Sequence, residues 1–366
     1  MESLEKEKKG VINMDRSKGL VEQIKQTNIE SKLTSSFNEE VIVDTSIACL
    51  KSTSRSSIYS LTLLGKQRSI PIILKVYSHA KYKNEVELAI YRQAQDYLAD
   101  FLPAVYLNHQ QGDETWVFME FVQQVRGRTF FSPSHLDYII PAVAQLHAHT
   151  YQVSQDPNHQ LSSCNLPVYY SGIMAKERGK YSKKTVNFIE KSLQDKRLKS
   201  ILAPHAGPLL TIYKKELFMF DELFHDGVAL THGDLHMQNI CTHDVSKKEP
   251  WDIQFIDWES AKIGPVWFDM VVLVELLLGF RKDWQADADM IRKKCIDTYV
   301  REMNSHGITF QTDPLKLYKM AYLQRTLEKG LHTQLRRIFD GRKGELLPYH
   351  LEKISTWGKE LGIYQA

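Results

Sequence analysis

A chain of 366 residues, 43% hydrophobic and 25% charged, can bury a sizeable core, and its composition excludes a disordered polymer. A formal net charge of +3 lacks the basic concentration that a nucleic-acid surface needs, so no nucleic-acid partner is expected. The longest apolar run, residues 263–280, holds Asp269 and Glu275; it reads as a buried helix, and no membrane partner is expected. Cys49, Cys164, Cys241 and Cys295 lie far apart without a CxxC pair, as free thiols of a reducing compartment do. The opening MESLEKEKKG has charges but no apolar run of a secretory signal, which predicts a cytoplasmic protein.

In chain order, residues 1–35 read as a polar leader rich in Lys, Glu, Gln and Ser, either mobile or a short amphipathic helix carrying Val21, Ile24 and Ile29. Three β-branched runs follow, VIVDTSIACL, SIYSLTLL and SIPIILKVYS, as in an antiparallel meander. Residues 80–100 have helical spacing at Val86, Ile90 and Tyr97, and PAVYLNH and TWVFMEFV read as two more strands. From Ser132 the pattern turns helical. SPSHLDYIIPAVAQLHAHT opens on a serine cap, with Pro141 expected to kink or restart that helix. Long helical stretches cover about 181–226 and 285–361, and between them VALTHGDLHMQNICT and WDIQFIDWE read as short strands. The sum is α+β: a small sheet with one helix, joined to a larger helical lobe.

The segment THGDLHMQNI carries the chemistry. His232, Asp234 and His236 alternate along an extended stretch, which suits a metal cage, but no HExxH or further HxH partner adjoins, and His147 with His149 is the only other close pair. Phosphoryl transfer explains more residues. It needs a carboxylate to orient an attacking hydroxyl and oxygen ligands for the Mg²⁺ that neutralises phosphates. Asp234 suits the first task; Asn239, five residues on, and Asp257 in QFIDWE suit the second. HGDLHMQN keeps the His, Asp and Asn spacing of the kinase loop H-R-D-x-x-x-x-N, with Gly233 in place of the arginine.

The first lobe supplies a matching set. Lys75 in PIILKVY sits on an apolar strand where an unpaired ammonium is costly, so it is expected to meet phosphate and a carboxylate; Glu87 is the natural partner, with Glu85 second. The alternative is a lysine snorkelling from an edge strand. WVFMEFV places backbone groups of Glu120 and Val122 at a link where an adenine edge can pair. No two glycines are separated by a single residue and no GxxxxGK[ST] occurs, which removes Rossmann and P-loop readings. KSTSRSS (51–57) either covers phosphates with hydroxyls and N–H groups or is a polar turn.

On the loop HGDLHMQNI, the segment FIDWESAKIGPVWFDM, the helix AVAQLHAHT, and Lys75 with Glu87, the chain resembles the aminoglycoside phosphotransferase and choline kinase group of small-molecule kinases, over roughly residues 40–300. The resemblance implies a bilobal protein-kinase-like fold, with residues 36–122 a nucleotide-binding lobe and 123–366 a lobe bearing the catalytic loop and acceptor-binding helices. It further implies Asp234 as catalytic base, Asn239 and Asp257 on Mg²⁺, Lys75 on the phosphates of ATP, and Asp269 and His232 as braces of the loop. No long activation segment separates Asp257 from Asp269, which favours a small-molecule hydroxyl acceptor over a protein. The acceptor classes are a sugar or amino sugar, an amino alcohol, or an aminoglycoside-like antibiotic. Residues 176–200 hold nine Lys/Arg against three Asp/Glu, which disfavours the polycationic antibiotics. The alternative to an enzyme is a degenerate kinase fold acting as a scaffold or coat protein.

Overall fold

The structure, a computed structural model, describes residues 19–78, 82–125, 131–152, 159–215, 217, 220–243, 245–246 and 251–364. The chain divides into two compact units. One comprises the chain through Gln123 together with Cys241–Asp244 and Gln254–Glu259; the other holds Gln124–Ile240, Val245–Ile253 and Ser260–Ala366.

The first unit is built on an antiparallel sheet. Strands β1 (Ile42–Val43), β2 (Ala48–Ser52), β3 (Ser56–Leu64), β4 (Ser69–Ser78), β5 (Val105–Gln111) and β6 (Glu114–Glu120) are arranged β1-β3-β4-β6-β5, with β2 also on β3. Alternation decides its faces: Tyr59, Leu61 and Leu63 of β3 and Ile72, Leu74 and Val76 of β4 point into one core. Helix α1 (19–26) and helix α2 (Ile29–Phe37) cover that core with Leu20, Ile24, Ile29 and Leu33. Of the two readings for this stretch, the amphipathic one describes residues 19–37: Ile24 and Ile29 are buried while Val21 is not, and four apolar side chains at helical spacing seat two short helices. Helix α3 (Tyr82–Gln93) follows β4 and is shorter than the 80–100 span expected.

The expectation for residues 123–366 needs one correction: Cys241–Asp244 and Gln254–Glu259 pack with the first unit. The Phe255 N–H donates to the Phe101 carbonyl at 2.8 Å, so the segment that carries Asp257 is pinned there by backbone.

The second unit is mainly helical. Helix α4 (Leu136–His149) runs unbroken through Pro141, preceded by a turn in which Ser132 and His135 form a capping box. Helices α5 (Gly172–Ser192), α6 (Lys196–Tyr213) and α7 (Glu222–His225) lead to strand β8 (Val228–Thr231), which pairs antiparallel with a strand we call β11 (Lys262–Pro265), Thr231 opposite Lys262. Between them in sequence lie the short strands β9 (Ile240–Thr242) and β10 (Ile253–Phe255), and β7 (Gln123–Gln124) precedes α4. Helix α8 (Trp267–Phe280) is the central buried helix and includes both Asp269 and Glu275. Helix α9 (Ala288–Ser305) packs on α4, and α10 (Pro314–Arg325) packs on α8. A π-helical turn, Thr326–Gly330, then leads into α11 (Leu331–Phe339) and α12 (Leu347–Glu360). Among the described residues no helix is long and apolar enough to cross a membrane.

Candidate active site

In the second unit, the β8–β11 pair delivers the loop that follows Thr231. Asp269, fully buried at the start of α8, accepts the His232 N–H at 2.6 Å and the Gly233 N–H at 2.8 Å. Its other neighbour is His147 of α4, whose Nε2 lies 3.3 Å from the carboxylate and whose Nδ1 meets the Tyr299 hydroxyl at 2.8 Å. Burial alone would raise the Asp269 pKa; the hydrogen bond and charge of His147, the charge of His232 and the Gly233 N–H outweigh it and bring it down to about 2.

The loop then turns on itself. The Asp234 N–H points to His232 Nδ1 at 3.4 Å, and the Asp234 carbonyl accepts from Asn239 Nδ2 at 2.9 Å and from the His236 N–H at 3.0 Å. The Asp234 carboxylate is left half-exposed, with His236 Nε2 3.7 Å away. Because the Asn239 amide nitrogen is spent inside the loop, its oxygen is the atom that remains to face a cation. The cage reading fails on these contacts. His232 and His236 each turn Nδ1 to a backbone N–H, and both nitrogens of His147 are engaged. Among the described residues no group of three or more His, Cys, Asp or Glu is gathered to hold a metal.

Gly233 explains why this loop has no arginine at its second position. Its φ is +77°, and an added Cβ would overlap the Ser260 carbonyl oxygen and lie 2.8 Å from Lys262 Nζ. The Gly233 carbonyl accepts from Arg325 Nη2 at 2.8 Å. Gly233→Ala is therefore expected to displace the loop against backbone that cannot yield, and to cost activity on the order of 10²-fold, since about 1 Å of misplacement does so. Wild-type kinetics in that variant would show that the loop adapts and that the close approach is unimportant.

In the first unit, β4 is a central strand between β3 and β6, with Lys75 opposite Ile58 on one side and Val117 on the other. That position removes the snorkelling alternative. Lys75 is 7% exposed, and its Nζ lies 2.8 and 2.7 Å from the two oxygens of Glu87 and 3.3 Å from Asp257. Burial by itself would lower its pKa; attraction to Glu87, then to Asp257, wins and the net shift is upward. Of the two helix carboxylates weighed, Glu87 is 1% exposed and also accepts from Tyr91, while Glu85 is exposed. Asp257 has φ +68°, a left-handed conformation that is uncommon outside glycine; Trp258 Nε1 closes the turn on the Phe255 carbonyl at 2.9 Å. About a third of its side chain remains exposed, so a carboxylate oxygen is accessible.

The KSTSRSS link is a tight turn. The Thr53 hydroxyl accepts the N–H groups of Arg55 and Ser56, which withdraws two of the donors that a phosphate would use. Arg55 instead reaches Glu259, two residues past Asp257, at 2.5 Å. At the end of β6 the Glu120 N–H donates to the Ala104 carbonyl at 2.8 Å and its carboxylate meets His243. Val122 lies two residues past the end of β6 and is half-buried.

The second unit also contains a cavity of about 360 Å³ that reaches Asp234. Sequence reasoning missed its walls. They come from α5 (Tyr169 just before it, Arg178, Tyr181), from Lys262 of β11, and from Arg325 and the π turn with Glu328. π-helical turns concentrate at functional sites, and this one aims Glu328 inward, where it accepts from Tyr169 and from Gln324 Nε2.

With this geometry in place, the comparisons decide the family. The profile of the ecdysteroid kinase-like family matches residues 76–306, well over half of the chain. The chain belongs to that family. No curated protein matches the sequence. Among solved structures, this ecdysteroid kinase-like protein is similar to choline kinase from Cryptosporidium parvum Iowa II, with 14% identity, TM-score 0.54, and 87% of this chain and 91% of that one covered. It is also similar to a Plasmodium vivax ethanolamine kinase, with 11% identity, TM-score 0.51, and 88% and 84% covered. Identities this low establish the fold alone. It is the α+β protein-kinase-like fold of small-molecule kinases, as the sequence led us to expect.

Proposed function

We propose that this ecdysteroid kinase-like protein transfers the γ-phosphoryl group of ATP, with Mg²⁺, to a hydroxyl of a small molecule. The observation that carries the reading is a half-exposed Asp234 carboxylate, on a loop clamped by Asp269, at the edge of an open cavity. Asp234 orients the acceptor hydroxyl and takes its proton. Lys75, held by Glu87, faces the nucleotide phosphates, and the Glu120 carbonyl with the Val122 amide reads the adenine edge. By donor chemistry, Asp257 offers a carboxylate and Asn239 an amide oxygen, the oxygen ligands that Mg²⁺ prefers. Mg²⁺ would supply charge neutralisation at the phosphates. The four cysteines are free, three of them buried, which supports a reducing compartment such as the cytoplasm.

The test is thermal. A ligand that binds only the native state raises its melting temperature by mass action. ATP should therefore stabilise the protein more with Mg²⁺ than with EDTA, and Asp257→Ala should abolish the difference. No shift with ATP under either condition would leave a scaffold as the better reading; an unchanged Mg²⁺ effect in Asp257→Ala would remove Asp257 from the metal site.

A further inference from the structure

The cavity at Asp234 has aromatic and apolar walls, Tyr169, Met174, Tyr181, Val271, Leu276 and Leu346. Of its four acids, Glu177, Asp234, Glu275 and Glu328, two are already paired. Glu275 is tied to Arg292 at 2.6 and 3.2 Å and accepts from Tyr318 and Tyr349. Glu328 accepts from Tyr169 and Gln324, with Arg178 3.6 Å away. Glu177 is exposed on α5. Two cations are not matched in this way. Lys262 Nζ donates to the Ser260 carbonyl at 3.0 Å, and Arg325 gives one nitrogen to the Gly233 carbonyl while its guanidinium lies over the Phe268 ring. Both line the same cavity as Asp234, and among the described residues neither has a carboxylate in ion-pair range.

We propose that the acceptor is an amphiphilic alcohol bearing an oxyanion, such as a carboxylate or sulfate, and that Lys262 and Arg325 bind this anion. This rests on the kinase reading above and sets the acceptor apart from choline, ethanolamine and aminoglycosides, which are cations. The surroundings of Lys262 agree. Burial, then Arg325 and Lys329, push its ammonium down, against the opposing pull of Asp269 and Glu328, to about 7. A bound anion reverses that imbalance and draws a proton onto the lysine.

Three probes of similar size, each with one ring and one aliphatic hydroxyl, test the charge alone: 3-phenyllactate (anion), its amide (neutral) and phenylalaninol (cation). Calorimetry without nucleotide, at pH 8 in HEPES and in Tris, keeps the result independent of catalysis and of the ATP experiment above. We expect phenyllactate to bind about ten-fold or more tighter than phenylalaninol, with proton uptake. Lys262→Met should erase both the preference and the uptake, and Lys262→Arg should restore the preference. Equal or weaker binding of phenyllactate, absence of binding included, overturns the proposal. So does a preference that survives Lys262→Met, or one seen only with nucleotide bound, which would assign these cations to the transferred phosphoryl group.

Discussion

Asp234→Asn is expected to lower turnover by roughly 10²-fold or more, the usual range for loss of a general base, while ATP affinity stays within a few-fold. The substitution is nearly isosteric. The Asp234 backbone bonds to Asn239 and His236 do not involve the carboxylate, so the loop should keep its shape. What disappears is the acceptor for the hydroxyl proton; the positioning and charge neutralisation that dominate phosphoryl transfer persist. His236→Ala is the control. Its imidazole lies 3.7 Å from Asp234 and accepts one backbone N–H, so its loss should be far milder. Equal collapse in both variants, accompanied by loss of a bound transition metal, would restore the cage reading.

Asp269→Ala should have the largest effect on stability. It removes the acceptor that the buried N–H groups of His232 and Gly233 use and takes one of two partners from His147. Breaking such a buried arrangement costs about 3–5 kcal/mol, and in a unit of this size that lowers the melting temperature on the order of 10 °C. The pH dependence has a definite sign. With its folded-state pKa at about 2, below the unfolded-chain value, the carboxylate contributes stability that is complete above about pH 4 and is lost as pH falls through about 2. The contribution is about 2 kcal/mol. The variant should thus lose part of the acid limb of the wild-type stability curve. A melting point within about 2 °C of wild type would mean that the loop is held by something else.

The polar clusters of the two units could be named from the sequence because their residues lie close along the chain. Asp234 and Asn239 lie five residues apart on one turn, and Lys75 announces itself as a charge in an apolar strand. Glu87 over Glu85 was a matter of helix register, which spacing alone could favour but only the fold could place. The cavity was illegible for the opposite reason. Arg325 meets Gly233 across 92 residues, and Glu328 turns inward because of a π turn that no hydrophobic period encodes. Ile24 and Ile29 of α1 and α2 were visible at helical spacing, but Leu20 and Leu33 hid in a stretch whose average is polar, and their partners are strands further along the chain. His147 was visible as half of a His pair, but its use, spanning Asp269 and Tyr299, depends on α4, α8 and α9 meeting.

Arg325 both lines the cavity and, from α10, holds the loop that the proposed function makes catalytic. Anyone retargeting this protein to new alcohols therefore inherits an engineering constraint. Libraries at Arg325 would confound selectivity with rate, because each change there also lets go of the Gly233 carbonyl. Tyr181, Met174 and Thr333 line the same space without a hydrogen bond to that loop, and they are the positions where diversity can be introduced without disturbing the chemistry.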